Sequence, residues 1–315
     1  MKYGFGVDLG GTTVKMAYFD EEGTLLDKWE IPTNTAEGGK YILQDIAAAV
    51  KGYIKEKNIP ASDVIGIGIG VPGPVSRQGM VNRCVNLGWG VFNVNDVLSE
   101  LTGFPVRAGN DANVAALGEC WKGGGQGCES IVMATLGTGV GGGIVIDGKV
   151  VYGAHGAGGE IGHVVLNKEE TVPCACGKYG CVEQYCSATG IVRTARRHLN
   201  RSLNPSKLRD IKDLTCKDIF DAAAEDDVVA NEILEHVYSK LAEFLSDVCC
   251  VVDPEMVVIG GGVSKAGEVL LNGIQRHMHK YLFHAIRELR FSLATLGNDA
   301  GAYGAFKLIL DAYRG

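Results

Sequence analysis

Tyr3-Gly4-Phe5-Gly6-Val7-Asp8-Leu9-Gly10-Gly11-Thr12-Thr13-Val14-Lys15-Met16-Ala17-Tyr18-Phe19-Asp20-Glu21-Glu22-Gly23 sets two apolar runs around a glycine and threonine turn and ends in a tight acidic turn. Tyr3 to Val7 reads as a buried strand, Asp8 to Thr13 as a turn and Val14 to Phe19 as a second strand. Residues 20–23 then lead into a third strand, Thr24 to Glu30. The same order returns after residue 130. Ile131 to Thr135 is a strand, Leu136-Gly137-Thr138-Gly139-Val140-Gly141-Gly142 a turn and Gly143 to Ile146 a strand, and Asp147-Gly148 is a hairpin signal before Lys149 to Tyr152. A strand, turn, strand, tight turn, strand unit used twice implies two domains of like topology.

Glycines in such turns let backbone N–H groups gather around phosphate oxygens, and threonine hydroxyls add donors. One glycine-rich hairpin without a ligand is unremarkable. Two of the same design point to a nucleotide held by its phosphates. Gly137-x-Gly139-x-x-Gly142 also fits the dinucleotide fingerprint, but that motif needs a helix directly after its glycines, and Gly143 to Val151 reads as a hairpin. A nicotinamide-dependent dehydrogenase is therefore disfavoured.

The rest of the chain alternates helix and strand. Apolar spacing predicts helices over 40–57, 95–101, 114–121, 183–199, 228–252 and 300–312, with one more starting near Lys265. Strands are expected at 64–71, 105–108, 256–259 and 291–296. The run Val64-Ile-Gly-Ile-Gly-Ile-Gly-Val71 is apolar throughout, with glycines small enough for close packing. Domain boundaries are expected at residues 1–111 with the closing helix 300–315, and at 112–299.

Composition narrows the setting. The chain has 315 residues, 46% hydrophobic content and a net charge of −7, enough for two ordinary domains and a poor match to nucleic acid. The first residues run straight into a strand without a basic, apolar and small-residue signal pattern, and no apolar run approaches the ~20 residues that span a bilayer. A cytoplasmic protein that binds neither nucleic acid nor membrane is expected, with its ten cysteines reduced or metal-bound.

Cys174-Ala-Cys176-Gly-Lys-Tyr-Gly-Cys181 places three thiols in one loop punctuated by glycines, and His163 lies upstream in Glu160-Ile161-Gly162-His163. This spacing suits tetrahedral zinc with one His and three Cys ligands, a closed set that shapes a loop and activates no water. Three unrelated buried cysteines are the alternative. Glu160 and Glu183 flank the same loop and would be fixed by it, and several acceptors in one place suit a polyhydroxylated ligand.

Asp111 is the strongest candidate for chemistry. It ends a strand and begins a helix between Asn110 and Asn113, where α/β sheets place ligands. A helix-capping Asp is the structural alternative, but beside two phosphate turns a carboxylate there can orient an acceptor hydroxyl and take its proton.

These motifs, in this order and over essentially the whole chain, resemble the ROK family of bacterial sugar kinases and regulators. The carriers are Asp8-Leu-Gly-Gly-Thr12, Asn110-Asp111, Leu136-Gly-Thr-Gly-Val-Gly-Gly142, Glu160-Ile-Gly-His163 and the cysteine loop through Glu183. Val71-Pro-Gly-Pro-Val75, Asn86-Leu-Gly-Trp89 and Ser187-Ala-Thr-Gly-Ile-Val-Arg193 look like the glucokinases of Gram-positive bacteria. The resemblance implies a two-domain actin-like, ribonuclease-H-like α/β fold with an interdomain cleft, and ATP-dependent phosphorylation of glucose at its 6-hydroxyl.

Carried over by position, the resemblance makes Asp111 the catalytic base. It makes Gly73, Asn86, Asn110, Glu160, His163 and Glu183 sugar contacts, with His163 also a zinc ligand, which requires its two ring nitrogens to divide the tasks. Asp8, Gly10, Gly11 and Thr12 would form the first phosphate turn, with Asp8 near Mg2+. Gly137, Thr138 and Gly139 would form the second, and Gly261 and Gly262 would approach the adenosine. A homodimer is implied as well. Some relatives are repressors with a helix-turn-helix ahead of the kinase-like region, whereas here Asp8 lies in the first strand. Kinases of fructose, N-acetylmannosamine, N-acetylglucosamine or allose are nearer rivals with the same machinery.

Overall fold

The computed structural model describes all 315 residues. In chain order its elements begin with β1 (Tyr3–Leu9), β2 (Thr13–Asp20), β3 (Leu25–Pro32), a single turn α1 (Ala36–Gly39), α2 (Ile42–Glu56), β4 (Val64–Val71), β5 (Met80–Cys84), β6 (Trp89–Asn93), α3 (Val94–Thr102), β7 (Val106–Asn110) and α4 (Asp111–Lys122). They continue with β8 (Ile131–Leu136), β9 (Val140–Ile146), β10 (Lys149–Val150), a single turn α5 (Glu183–Cys186), α6 (Ala188–Arg201), α7 (Cys216–Ala224) and α8 (Val228–Val252). The last are β11 (Met256–Gly260), α9 (Glu268–Met278), β12 (Arg290–Leu293) and α10 (Ala300–Arg314).

Two five-stranded sheets carry the fold, ordered β3-β2-β1-β4-β7 and β10-β9-β8-β11-β12. In each, three antiparallel strands in sequence order are joined edge-on to two parallel ones. The repeated motif is thus a repeated topology. The chain gathers into two compact units, one of residues 1–129, 143–159 and 295–315, the other of residues 130–142 and 160–294. The expected division at residue 111 differs from this one because α4, β10 and the loop to Gly159 pack with the first unit. Gly143 explains part of that, since a Cβ there would lie 2.4 Å from Ala116 Cβ on α4.

In the first unit, glycine alternation gives β4 two different faces. Ile67 and Ile69 are wholly buried in the core beneath α2 and α3. Gly68 points to the opposite face, where its missing Cβ would stand 1.6 Å from the Ala305 carbonyl oxygen of α10. Gly6 on β1 does the same against Ala302 at 2.1 Å. The helix therefore rests on bare backbone, and Phe306 and Ile309 close the contact against Phe19 and Ile65.

The expected helix over 183–199 is broken at Ser187, whose extended backbone and hydroxyl, accepting from the Gly190 N–H at 2.9 Å, cap α6 afresh. The helix expected near Lys265 starts as a 3-10 turn, Gly262–Ala266, with α9 following from Glu268. The β5–β6 hairpin and α7 were not foreseen; β5 and β6 are five residues each and lack clean alternation.

Adding one methyl at Gly68 forces helix or strand to move. Gly68→Ala should lower stability by about 3 kcal/mol, read as a lower urea midpoint at unchanged slope. A midpoint equal to wild type would mean α10 is free to lift from the sheet.

Candidate active site

In the first unit, β7 delivers Asn110 and Asp111 to the edge of the sheet, where Asn110 pairs with Val71 of β4. Asn110 is the N-cap of α4, accepting from the Asn113 N–H at 3.0 Å. Its amide nitrogen donates to the Gly73 carbonyl at 3.0 Å and to Asp111 Oδ1 at 3.0 Å. Asp111 Oδ1 also accepts from the Ala112 N–H at 2.8 Å. The carboxylate is held by two donors at the N-terminal end of α4. Gly73 supports this with a positive φ of 94° that lets its carbonyl turn to Asn110. Asn86 sits in a short 3-10 turn over 85–87 and is exposed. Asn113, expected to project beside Asp111, turns inward instead: it is buried and donates to the Gly158 carbonyl at 2.9 Å.

The first glycine and threonine turn, expected to hold phosphate, lies between β1 and β2 in the same unit. The Gly10 N–H is taken by the Thr13 carbonyl at 3.0 Å, and Thr33 binds the turn through the Gly10 and Thr12 carbonyls. Gly11 and Thr12 are exposed, and space is open beside Gly11. Asp8 is half-buried, with Lys15 Nζ at 3.7 Å. Burial raises the Asp8 carboxyl above its usual range, and Lys15 partly offsets that. Gly301 makes room for this carboxylate, since a Cβ there would lie 2.6 Å from Asp8 Cγ.

In the second unit, the second phosphate turn, the metal-type cluster and Gly261 adjoin one another. The Gly137 carbonyl accepts from the Ala188 N–H at 2.8 Å and the Thr138 carbonyl from the Thr189 hydroxyl at 2.8 Å, so the start of α6 fixes the turn. Gly261, with φ 82°, passes so close to β8 that a Cβ would meet the Leu136 carbonyl at 2.5 Å, whereas Gly262 borders open space. Glu183 joins turn to cluster. Its Oε2 accepts from the Val140 N–H at 3.0 Å, and its Oε1 lies 3.7 Å from Cys174 Sγ, which donates to it. Glu160 is exposed, and its carbonyl receives the His163 N–H at 3.2 Å.

His163, Cys174, Cys176 and Cys181 bring their ligand atoms within 4.8 Å of one another. Cys176 and Cys181 sulfurs are 3.7 Å apart, and Cys174 Sγ is 3.9 Å from His163 Nδ1. Zinc–sulfur bonds of ~2.3 Å at tetrahedral angles put two sulfurs roughly 3.8 Å apart, so the donor set fits that ion. Nδ1 is the nitrogen facing the thiols, which leaves Nε2 for another partner. Burial and the two neighbouring thiols push Cys181 up to about 12, whereas backbone and thiol hydrogen bonds bring the exposed Cys176 below its ordinary value despite some desolvation.

The loop before the cysteines is pinned by Glu170, which sequence reasoning passed over because no motif marks it. This buried carboxylate receives Arg197 at 2.8 and 3.1 Å and the Tyr185 hydroxyl at 2.7 Å, with Arg193 at 2.6 Å. The Arg197 hydrogen bonds hold its carboxyl far below the usual range.

Two sheets of one plan, each with a glycine and threonine turn, define the actin-like fold of sugar phosphotransferases. The chain belongs to the ROK family, whose model matches residues 4–312. It is 44% identical over 309 residues to a glucokinase of Halalkalibacterium halodurans, covering 96% of this chain and 94% of that one. Among solved structures it is similar to a ROK family glucokinase of Streptomyces griseus in complex with glucose and AMPPNP, with 33% identity, TM-score 0.73 and coverage of 97% and 98%. A ROK hexokinase of Thermus thermophilus superposes with TM-score 0.82 at 31% identity, covering 99% of this chain and all of the other.

Glu170 carries a prediction with a sign. Its folded value is depressed, so it contributes stability above the unfolded Glu value of about 4.3, and that contribution is lost as pH falls below it. Glu170→Gln should cost about 2 kcal/mol at pH 7, with the wild-type and variant stabilities converging below about pH 4. Parallel curves across that range would show that the carboxylate's charge contributes nothing.

Proposed function

We propose that this protein is an ATP-dependent glucokinase that transfers the γ-phosphoryl group to the 6-hydroxyl of glucose, with Asp111 as the base. The observation that carries this is the Asp111 carboxylate at the end of β7, oriented by Asn110 and the Ala112 N–H in a chain 44% identical to a glucokinase. Asp111 orients the hydroxyl and accepts its proton as the hydroxyl oxygen bonds to the γ-phosphorus, while the bond from that phosphorus to the β,γ-bridging oxygen breaks and ADP leaves with its electron pair. Gly73, Asn86, Asn110, Glu160, His163 and Glu183 bind the sugar. The exposed donors of Gly11, Thr12 and Thr138, with the half-buried Gly139, take phosphate oxygens, and Gly261 and Gly262 border the adenosine. Asp8 is the residue to hold Mg2+, which when bound neutralises charge on the phosphates.

Zinc is assigned to His163, Cys174, Cys176 and Cys181 as a structural ion, in keeping with the sulfur spacing. The remaining assignments are a cytoplasmic homodimer feeding glucose 6-phosphate to glycolysis. Another hexose is the competing reading: a relative 30% identical is an N-acetylgalactosamine kinase of Shewanella. A panel of hexoses in a coupled ADP-release assay decides between them. Glucose should give the highest kcat/KM, and an N-acetylhexosamine surpassing it would overturn the assignment.

Asp111→Asn should keep sugar binding while lowering turnover at least ~10²-fold. Near-normal turnover would remove Asp111 from the mechanism. Cys176→Ala should lose about one equivalent of zinc per chain by elemental analysis and weaken glucose affinity far more than ATP affinity, because Glu160, His163 and Glu183 lose their common anchor. Wild-type protein without zinc, or equal damage to both affinities in a folded variant, would refute the structural metal.

A further inference from the structure

A cavity of about 1060 Å³ lies within the first unit, walled by the turn at 77–78, the start of α3, β7, Leu117 of α4, the stretch 148–153 and the end of α10. None of the residues assigned above lines it. Three cations open onto it, Arg77, Arg107 and Lys149, and none of them is in an ion pair. Arg107 makes a single hydrogen bond, from Nη1 to the Val106 carbonyl at 2.9 Å. The acidic side chains on the wall are Asp96 and Asp311, and Asp311 is already held by Lys307. Tyr152 lines the same cavity, and burial pushes its hydroxyl up to about 12 against the opposing charges of Arg77 and Arg107.

This lining has a chemical preference. With Asp311 held by Lys307, the two guanidinium forks and the ammonium outnumber the one remaining side-chain carboxylate, Asp96, and guanidinium matches phosphate geometry bidentately. The volume is at the upper end of small-ligand sites, roughly 300–1,000 Å³, and well beyond the need of a single inorganic phosphate. The cavity also touches the strand that ends in the proposed base. Arg107 lies on β7 three residues before Asn110, and a Cβ on Gly109 would lie 3.7 Å from the Tyr152 hydroxyl oxygen.

We propose that this cavity is a second, regulatory binding site for a small anion carrying two or more phosphate groups, gripped by Arg77, Arg107, Lys149 and Tyr152. Its occupancy bears on β7 and so on the orientation of Asn110 and Asp111. Free oligophosphates and sugar bisphosphates share this chemistry.

The test is calorimetric titration of the full chain with tripolyphosphate and, separately, fructose 1,6-bisphosphate, in saturating glucose and AMPPNP so that the phosphate turns are filled. One equivalent of either anion should bind the wild type, at least ~10-fold more weakly in Arg77→Gln/Arg107→Gln and measurably more weakly in Lys149→Gln, with affinity falling as salt rises. The tighter anion identifies the source. Without added anion, the variants should phosphorylate glucose as the wild type does, and only the wild type should change its turnover when the anion is added. No binding at millimolar anion, or equal binding in wild type and both variants, would overturn the site. Binding without any change in turnover would overturn its regulatory role. Failure of glucose and AMPPNP to bind would count against the glucokinase reading alone, because the comparison of variants is then made without them.

Discussion

The close seating of α10 on the backbone of β1 and β4 is the constraint on which the first unit depends. Gly6 and Gly68 let the helix approach the sheet, and Gly304 brings it against α4, where a Cβ would lie 1.7 Å from the Val114 carbonyl. Both candidate carboxylates follow from that approach. Gly301 on α10 leaves the volume that the Asp8 carboxylate fills, and α4, pressed from the other side, carries Asp111 on its first turn. The lead into α10 is tied to α4 by Glu119, wholly buried, which accepts from the N–H groups of Gly124, Thr295 and Leu296 at 2.8–2.9 Å. Three backbone donors replace the water this carboxylate gave up, as a buried charge requires. A segment 176 residues away in sequence is thereby made part of the frame that carries the proposed base.

Much of this was legible in the sequence because it rests on local chemistry. The two glycine and threonine turns, the buried β4 run, the strand-to-helix junction at Asn110-Asp111 and the cysteine spacing each declare themselves within a dozen residues. The duplicated sheet order could be inferred from the repeat alone. What stayed hidden depends on contacts between distant segments. Glu119, Glu170, Lys15 and Gly301 carry no motif, and only the fold sets Gly301 under Asp8 or Arg197 against Glu170. Asn113 looked like a partner of Asp111 from its spacing, yet at the third position of a helix it points back toward the 153–159 loop. The cationic cavity is the extreme case, since its residues come from six separate segments.

The second unit is organised by a carboxylate as well, and Glu183 reconciles two demands that compete for it. As a brace it spends Oε2 on the Val140 N–H at the edge of the phosphate turn, and as a proposed sugar ligand it must offer an oxygen to a hydroxyl. In the thiol form of the cluster Oε1 is also engaged, by Cys174 at 3.7 Å. With zinc on the cluster, as proposed, Cys174 is a thiolate without a proton to donate, and Oε1 is left needing a donor. A sugar hydroxyl is such a donor. His163 divides in the same way, with Nδ1 toward the thiols and Nε2 remaining. On that proposal a closed metal site would do more than stiffen a loop: by displacing the thiol proton and taking one imidazole nitrogen, it would decide which atoms of Glu183 and His163 are left for the proposed sugar contacts. That is how a metal with no open coordination position can govern affinity without taking part in phosphoryl transfer.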